Sequence, residues 1–263
     1  MMVARPAVEW VAEGIPAYAP RTAGERAQDR YDRDFVVADI YTGIAYGHRL
    51  FGSGAAEGLY RTMSALLLST AKAPATVLDL GCGVGRVVYD CAPVWLGTEF
   101  VAMDLSYNMC LRAAALLRGD QAVPLPALAG RGWPDAVFTV PRQLSNVTIA
   151  QGSALDLPFA PLSFGVVMAT LLLCRLPDPV GGLAQMVRVL RPGGRLLLAT
   201  PCGFTTPEPW TRFVPAAALR EHLAMLGLRV DEWMEDVLYR EVIDAHGNAH
   251  EWRVRVIAAT LTV

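Results

Sequence analysis

Apolar and polar positions follow two rhythms along this chain. Short apolar runs of strand length stand at residues 76–80, 99–104, 147–150, 165–170 and 195–200. Between them lie stretches with apolar residues three and four apart, which predict helices at 56–71, 85–95, 106–118 and 179–190. In the first of these, Leu59, Met63, Leu66, Leu67 and Thr70 share one face. Ser106 is placed to cap the helix at 106–118. Arg191-Pro192-Gly193-Gly194 terminates the last one, because proline cannot continue a helix and glycine supplies the left-handed turn. The run at 165–170 is apolar on both faces, as in a buried parallel strand. Strands alternating with helices in this way predict an α/β fold, a doubly wound and mostly parallel sheet with helices on both faces. A loop at 201–214 and a helix at 215–226, with Leu219, Leu223 and Leu226 inward, come next. Two long strand-like runs close the chain, at 229–243 and 249–262. His246-Gly247-Asn248 joins them as a hairpin.

Three stretches fall outside this rhythm. Residues 1–24 are rich in Pro, Ala and Gly and read as loop. Residues 25–50 hold Tyr31, Tyr41, Tyr46 and His48 at roughly helical spacing up to Gly43. Residues 119–146 carry Pro124, Pro126, Pro134 and Pro141 among several glycines, which allows no regular helix. That insertion is too long for an ordinary connection. It reads either as a solvent-facing loop or as a substrate flap or dimer arm offering Trp133, Val137 and Phe138.

The chemistry concentrates at Val77-Leu78-Asp79-Leu80-Gly81-Cys82-Gly83-Val84-Gly85. A strand ends in three glycines at alternate positions and a helix follows. Gly81 and Gly83 let the backbone turn sharply and a ligand lie against it. The helix start presents free amide N–H groups. The next strand closes with Asp104, where a carboxylate can accept from ribose hydroxyls. Asp79, inside the first strand, disfavours a pyrophosphate and suits a cationic ligand.

Composition bounds the rest. The chain has 263 residues, 53% of them hydrophobic, enough for one large core with a cap. A net charge of −2 implies no polyanion-binding surface, and no basic stripe suggests nucleic acid. The longest apolar run, 166–174, is too short for a membrane span. Five cysteines without a Cys-x-x-Cys pair read as reduced thiols in a cytoplasmic protein, and no Cys/His cluster suggests a metal. Of the 23 basic residues only Lys72 is lysine, a bias associated with GC-rich bacterial genomes.

The glycine turn resembles the first motif of class I S-adenosylmethionine (SAM)-dependent methyltransferases of the type 11 kind. Gly152-Ser153-Ala154-Leu155-Asp156-Leu157-Pro158-Phe159, Ser163-Phe164-Gly165-Val166-Val167 and Val189-Leu190-Arg191-Pro192-Gly193-Gly194-Arg195 resemble later motifs of the same family, in order. The resemblance implies a Rossmann-like seven-stranded sheet ending in an antiparallel hairpin. It also implies SAM as cofactor, with S-adenosylhomocysteine as product. Residues 56–263 would form the methyltransferase domain and residues 1–55 a cap or lid. The cofactor's tail would lie along Asp79, Gly81, Cys82 and Gly83, its ribose on Asp104 and its adenine on Leu105. The family's acidic residue after the third strand is Ser153 here, so Ser153 and Ala154 would serve the adenine. Thr170, at the end of the fourth strand, would border the site. Gly165 replaces a second acidic residue.

Methyl transfer needs an aligned nucleophile, kept from water, and sometimes a base. His48 and Tyr41, in the covering segment, are the catalytic candidates. Tyr31, Tyr46, Arg175, Trp210 and Phe213 are the acceptor-pocket candidates. Residues 169–172 read Ala-Thr-Leu-Leu, which lacks the Asn-Pro-Pro-aromatic signature of amide and base methylation and a carboxylate for a catechol-type magnesium site. What remains is a small, largely apolar or aromatic acceptor, with bacterial specialised metabolism as a setting. A homodimer through the insertion or the N-terminal segment is a further expectation. The competing classes are a SAM-binding regulatory protein without catalysis and a NAD-dependent short-chain enzyme. The glycine spacing and the lack of a Tyr-x-x-x-Lys pair argue against the second.

Overall fold

The computed structural model describes residues 3–4, 6–12, 14–51, 56–141, 143–201, 213 and 215–262. Its centre is a nine-stranded sheet built from strands β1 (Glu9–Ala12), β2 (Ile15–Ala17), β3 (Thr76–Leu80), β4 (Glu99–Asp104), β7 (Val147–Gln151), β8 (Phe164–Thr170), β9 (Leu190–Pro201), β10 (Leu228–Val242) and β11 (Ala249–Leu261). The order across the sheet is β1-β2-β7-β4-β3-β8-β9-β11-β10. Strands β7, β4, β3, β8 and β9 are parallel neighbours. β11 runs antiparallel between β9 and β10, which is the predicted terminal hairpin. These seven strands are the expected Rossmann-like sheet. The other two lie within residues 1–24, whose composition predicts loop. Ala17 pairs in parallel with Gln151, and β1 folds back on β2, so the N-terminus extends the sheet edge.

Period-two alternation sorts the strand residues onto two cores. Val77, Phe100, Ala102, Ile149, Val166 and Met168 face one side. Leu78, Leu80, Val101, Met103, Val167 and Ala169 face the other. The first side is covered by α2 (Val36–Phe51), α3 (Glu57–Leu68), α4 (Arg86–Cys91) and α5 (Tyr107–Arg118). The second is covered by α6 (Pro179–Val189) and α7 (Ala216–Met225). A short helix, α1 (Ala23–Gln28), opens the N-terminal segment with a Thr22/Glu25 capping box. No helix among the described residues is long and apolar enough to cross a membrane.

Three boundaries differ from expectation for identifiable reasons. α2 runs on through Gly43, where the lack of a side chain makes room for Leu128, 3.1 Å from where a Cβ would stand. α4 ends at Cys91, with Pro93 two residues beyond. β9 begins at Leu190, and its pairing with β8 is irregular where Pro192-Gly193-Gly194 passes.

The insertion is neither a bare loop nor a flap over the site. It forms a two-stranded ribbon, β5 (Ala122–Pro124) with β6 (Val137–Thr139), around a 3-10 turn at Pro126–Arg131. Phe138 is buried against Tyr46 and Tyr89, and Trp133 stacks on Phe51 at 4.3 Å between ring centroids. The insertion is therefore a buttress behind α2. A buried ion pair between Asp39 of α2 and Arg112 of α5 ties that helix to the domain.

One helix cap can be tested through stability. Asp178 caps α6 by accepting from the Gly181 N–H at 2.9 Å. Asp178→Ala is expected to cost about 1 kcal/mol. That is a fall of roughly 2–4 °C in Tm, read by thermal denaturation. Cofactor affinity should not move, since Asp178 lies outside the cavity described next.

Candidate active site

The carboxyl ends of β3, β4, β7 and β8 open into a cavity of about 340 Å³. Ligands of open α/β sheets bind at such an edge. The glycine turn forms its floor. Gly81, Gly83 and Gly85 have φ of +64°, +54° and +78°, values that L side chains rarely adopt. A Cβ on Gly81 would come within 2.9 Å of Leu172, and one on Gly85 within 2.6 Å of Leu117. At Gly83 a Cβ would meet nothing within 4 Å. The backbone there is open to a ligand.

Two carboxylates flank the turn. Asp104, ending β4, accepts from the Gly83 N–H at 2.8 Å and the Ser106 N–H at 2.9 Å. Burial still pushes its pKa above the usual carboxylate range, against the pull of those two bonds. Asp79 lies on the face of β3 beneath the turn and is 3% exposed. Burial, then the neighbouring Asp104 carboxylate, pushes it up to about 8. A buried acid held neutral in this way favours a cationic group brought against it. The Thr170 hydroxyl at the end of β8 is buried without a partner among the described residues.

All nine predicted cofactor residues line this cavity: Asp79, Gly81, Cys82, Gly83, Asp104, Leu105, Ser153, Ala154 and Thr170. Ser153 spends its hydroxyl on the Leu155 N–H at 3.2 Å. These residues fit SAM on the structure's own terms. A side-chain-free cradle, a raised carboxyl group for an ammonium and a carboxylate for a ribose lie along one wall.

The substrate and catalytic candidates divide. Tyr31, Tyr41 and Arg175 line the cavity. The Tyr41 hydroxyl accepts from Arg30 at 3.2 Å and lies 3.5 Å from the Tyr31 hydroxyl. His48 is off the cavity wall. It sits on the last turn of α2, with Nδ1 2.9 Å from Glu57 and 3.3 Å from Arg86. Burial, then Arg86, lowers its pKa, so it is held neutral in a structural network. Tyr46 is fully buried, its hydroxyl donating to the Val84 carbonyl at 3.1 Å. Phe213 is buried in the core beside His222. Trp210 lies outside the described residues.

The cavity also holds residues that sequence reasoning passed over. Arg21 and Asp29 pair with each other at its rim. Tyr60, Tyr239 and Glu241 occupy its wall near Tyr41. The signal for the last two was the spacing of 239 and 241, which puts both on one face of β10. Among the described residues no His, Cys, Asp and Glu side chains group as a metal site.

The fold and the glycine-turn cradle are those of class I SAM-dependent methyltransferase domains. The model of the methyltransferase domain family matches residues 78–198, and the chain is similar to that family over this part. A demethylmenaquinone methyltransferase of Beutenbergia cavernae is 34% identical over 137 residues, 52% of this chain and 43% of the relative. The O-methyltransferase resE of Aspergillus sclerotiorum is 30% identical over 193 residues, 69% of this chain and 64% of the relative. The matched stretches thus span less than two thirds of either relative. Among solved structures, the [4+2]-cyclase SpnF is similar in fold. It has a TM-score of 0.58 and 18% identity, with 95% of this chain and 99% of that one covered.

Proposed function

We propose that this protein is a SAM-dependent methyltransferase acting on a small, largely apolar or aromatic acceptor. The observation that carries the reading is one continuous cavity with two unlike ends. The cofactor end is glycine backbone, Asp79 and Asp104. The other end is Tyr31, Tyr41, Tyr60 and Tyr239. When bound, SAM supplies a methyl group on an electrophilic sulfonium.

The chain's own part is to hold and exclude. Asp79 receives the ammonium of the amino acid tail, and Asp104 the ribose hydroxyls. Ser153, Ala154 and Leu105 border the adenine. Arg21, Asp29 and Tyr31, around and after α1, and Tyr41 of α2 line the cavity. Asp32 fixes the segment between the two helices by accepting from Ser106 Oγ at 2.6 Å and the Asn108 N–H at 3.1 Å, at the start of α5. The part of the N-terminal segment from Arg21 to Tyr41 then acts as a lid that keeps water out. Tyr41 and Tyr31 orient the acceptor, and Arg175 meets any anionic group on it. Aromatic walls suit an aromatic ring. Two relatives are named a demethylmenaquinone methyltransferase and an O-methyltransferase, which agrees with a small-molecule acceptor.

The deciding experiment is calorimetric titration with S-adenosylhomocysteine, followed by transfer from methyl-labelled SAM to a panel of aromatic acceptors. Micromolar binding with transfer to any of them supports the reading. Binding without transfer across a broad panel would favour a SAM-binding regulatory protein instead. No binding at all would remove the cofactor assignment.

A further inference from the structure

The acceptor end of the cavity carries a group of side chains that the cofactor does not require. Tyr41 of α2, Tyr60 of α3 and Tyr239 of β10 converge there with Glu241. The rings of Tyr60 and Tyr239 meet edge to face at 6.2 Å. Their hydroxyls are neighbours, and the Tyr239 hydroxyl also adjoins the Glu241 carboxylate. Burial pushes Tyr60 up to about 12 and Tyr239 well above its ordinary value. Both phenols therefore stay neutral at neutral pH. Among the described residues Glu241 is the one carboxylate at this end.

The other charges on the cavity wall are accounted for. Arg21 pairs with Asp29 and Asp32, and Arg86 with Glu57 and Asp90. Asp104 holds two backbone N–H groups, and Asp79 lies under the glycine turn. Arg175 makes no ion pair among the described residues and is the cation of this chamber. Glu241 accepts a hydrogen bond from the Tyr239 hydroxyl, which leaves most of its acceptor capacity unused, and its ion-pair partner among the described residues is the distant His250 Nδ1, at 4.0 Å, on a side chain 63% exposed. Such a pair contributes little in water. The Glu241 side chain itself is only 18% exposed. A carboxylate so placed gains most from a ligand that donates to it, and excludes one that carries a negative charge there.

We propose that Glu241 is the anchor of the acceptor subsite. Its carboxylate accepts a hydrogen bond from a hydroxyl or N–H on an aromatic acceptor held among the rings of Tyr41, Tyr60 and Tyr239. The acceptor class is thereby narrowed to aromatics with a donor at this end, phenols and aryl amines. An anionic substituent would point to Arg175. This rests on the methyltransferase reading given above. Glu241 is a positioning residue for the acceptor and takes no part in cofactor binding.

The test uses protein saturated with S-adenosylhomocysteine and two probes, 2,7-dihydroxynaphthalene and its dimethoxy counterpart. Affinity is read by calorimetry on the wild type, Glu241→Ala and Glu241→Gln. The expected result is that the diol binds the wild type, about tenfold more weakly Glu241→Ala, and to an intermediate degree Glu241→Gln, which keeps an acceptor oxygen but loses the charge. The dimethoxy probe should bind weakly and equally to all three. S-adenosylhomocysteine affinity should match across the three proteins, and Glu241→Gln, which still accepts from the Tyr239 hydroxyl, should keep the wild-type Tm while its diol affinity falls, a split that a merely structural role of Glu241 would not predict. Equal diol affinity in the wild type and Glu241→Ala would overturn the proposal. So would a dimethoxy probe that binds as tightly as the diol, or a diol that does not bind the loaded wild type. Failure of S-adenosylhomocysteine to bind, measured first without any aromatic, would overturn the methyltransferase reading and this inference with it.

Discussion

Replacing Asp104 by alanine is expected to weaken S-adenosylhomocysteine binding at least about 100-fold, roughly 3 kcal/mol. Three losses combine. The Gly83 N–H and the Ser106 N–H each lose a charge-assisted bond of under 3 Å. Those bonds pin the glycine turn to the start of α5, so the cradle itself loosens. The ribose hydroxyls also lose their shared acceptor. The fold should survive, because the variant also removes a carboxylate whose burial is unfavourable, as its raised pKa shows. Asp104→Asn keeps one acceptor oxygen and should fall between. Calorimetry on the three proteins checks the order, and thermal denaturation checks that each is folded. An alanine variant that binds within threefold of the wild type would show that the ligand does not use Asp104.

The cofactor end was legible in the sequence because local chemistry builds it. Glycines with φ near +60° and carboxylates at strand ends are required wherever a strand turns into a helix around a ligand, so Gly81, Gly83, Asp79 and Asp104 stood out without tertiary information. The acceptor end is assembled from α2, α3 and β10, which are far apart in the chain. Tyr46 and Phe213 are aromatic residues as plausible as Tyr60 and Tyr239, and only packing separates them. Tyr46 points into the gap that Phe138 fills from the insertion, and Phe213 into the core beneath α7. His48 looked like a base because it ends the covering helix. It is one of three groups gathered on Glu57, with Arg61 and Arg86, an arrangement no spacing rule announces. β1 and β2 escaped notice because they are four and three residues long and Pro16 breaks the pattern. Their place is set by Gln151, whose side chain bonds both the N–H and the carbonyl of Ala19.

Cofactor affinity should rise with pH through the range below 8, and Asp79 is the reason. Burial and the Asp104 carboxylate hold its pKa at about 8 in the free protein, so at pH 6 it is almost wholly protonated. An ammonium group brought against it favours the ionised form and lowers that pKa. Binding therefore releases a proton, and by linkage the dissociation constant falls as pH rises. The limit is tenfold for each pH unit well below 8, flattening above it. Calorimetry with S-adenosylhomocysteine at pH 6, 7 and 8, in buffers of different ionisation enthalpy, reads both the affinity and the proton. Asp79→Asn should bind more weakly at pH 8 and show a flat profile. The free protein gives an independent reading of opposite sign. A carboxyl group whose pKa is raised from 3.8 to about 8 on folding contributes fully below pH 3.8, and that contribution is lost as pH rises through 8. Asparagine cannot ionise, so the variant without ligand should melt higher than the wild type at pH 8, by about 4–8 °C for a gain near 2 kcal/mol. At pH 4 the two should melt together. A residue that hurts the empty protein and helps the loaded one is what a built cation site requires. A profile that is flat in the wild type, or that keeps its slope in Asp79→Asn, would move the ammonium contact elsewhere on the cavity wall.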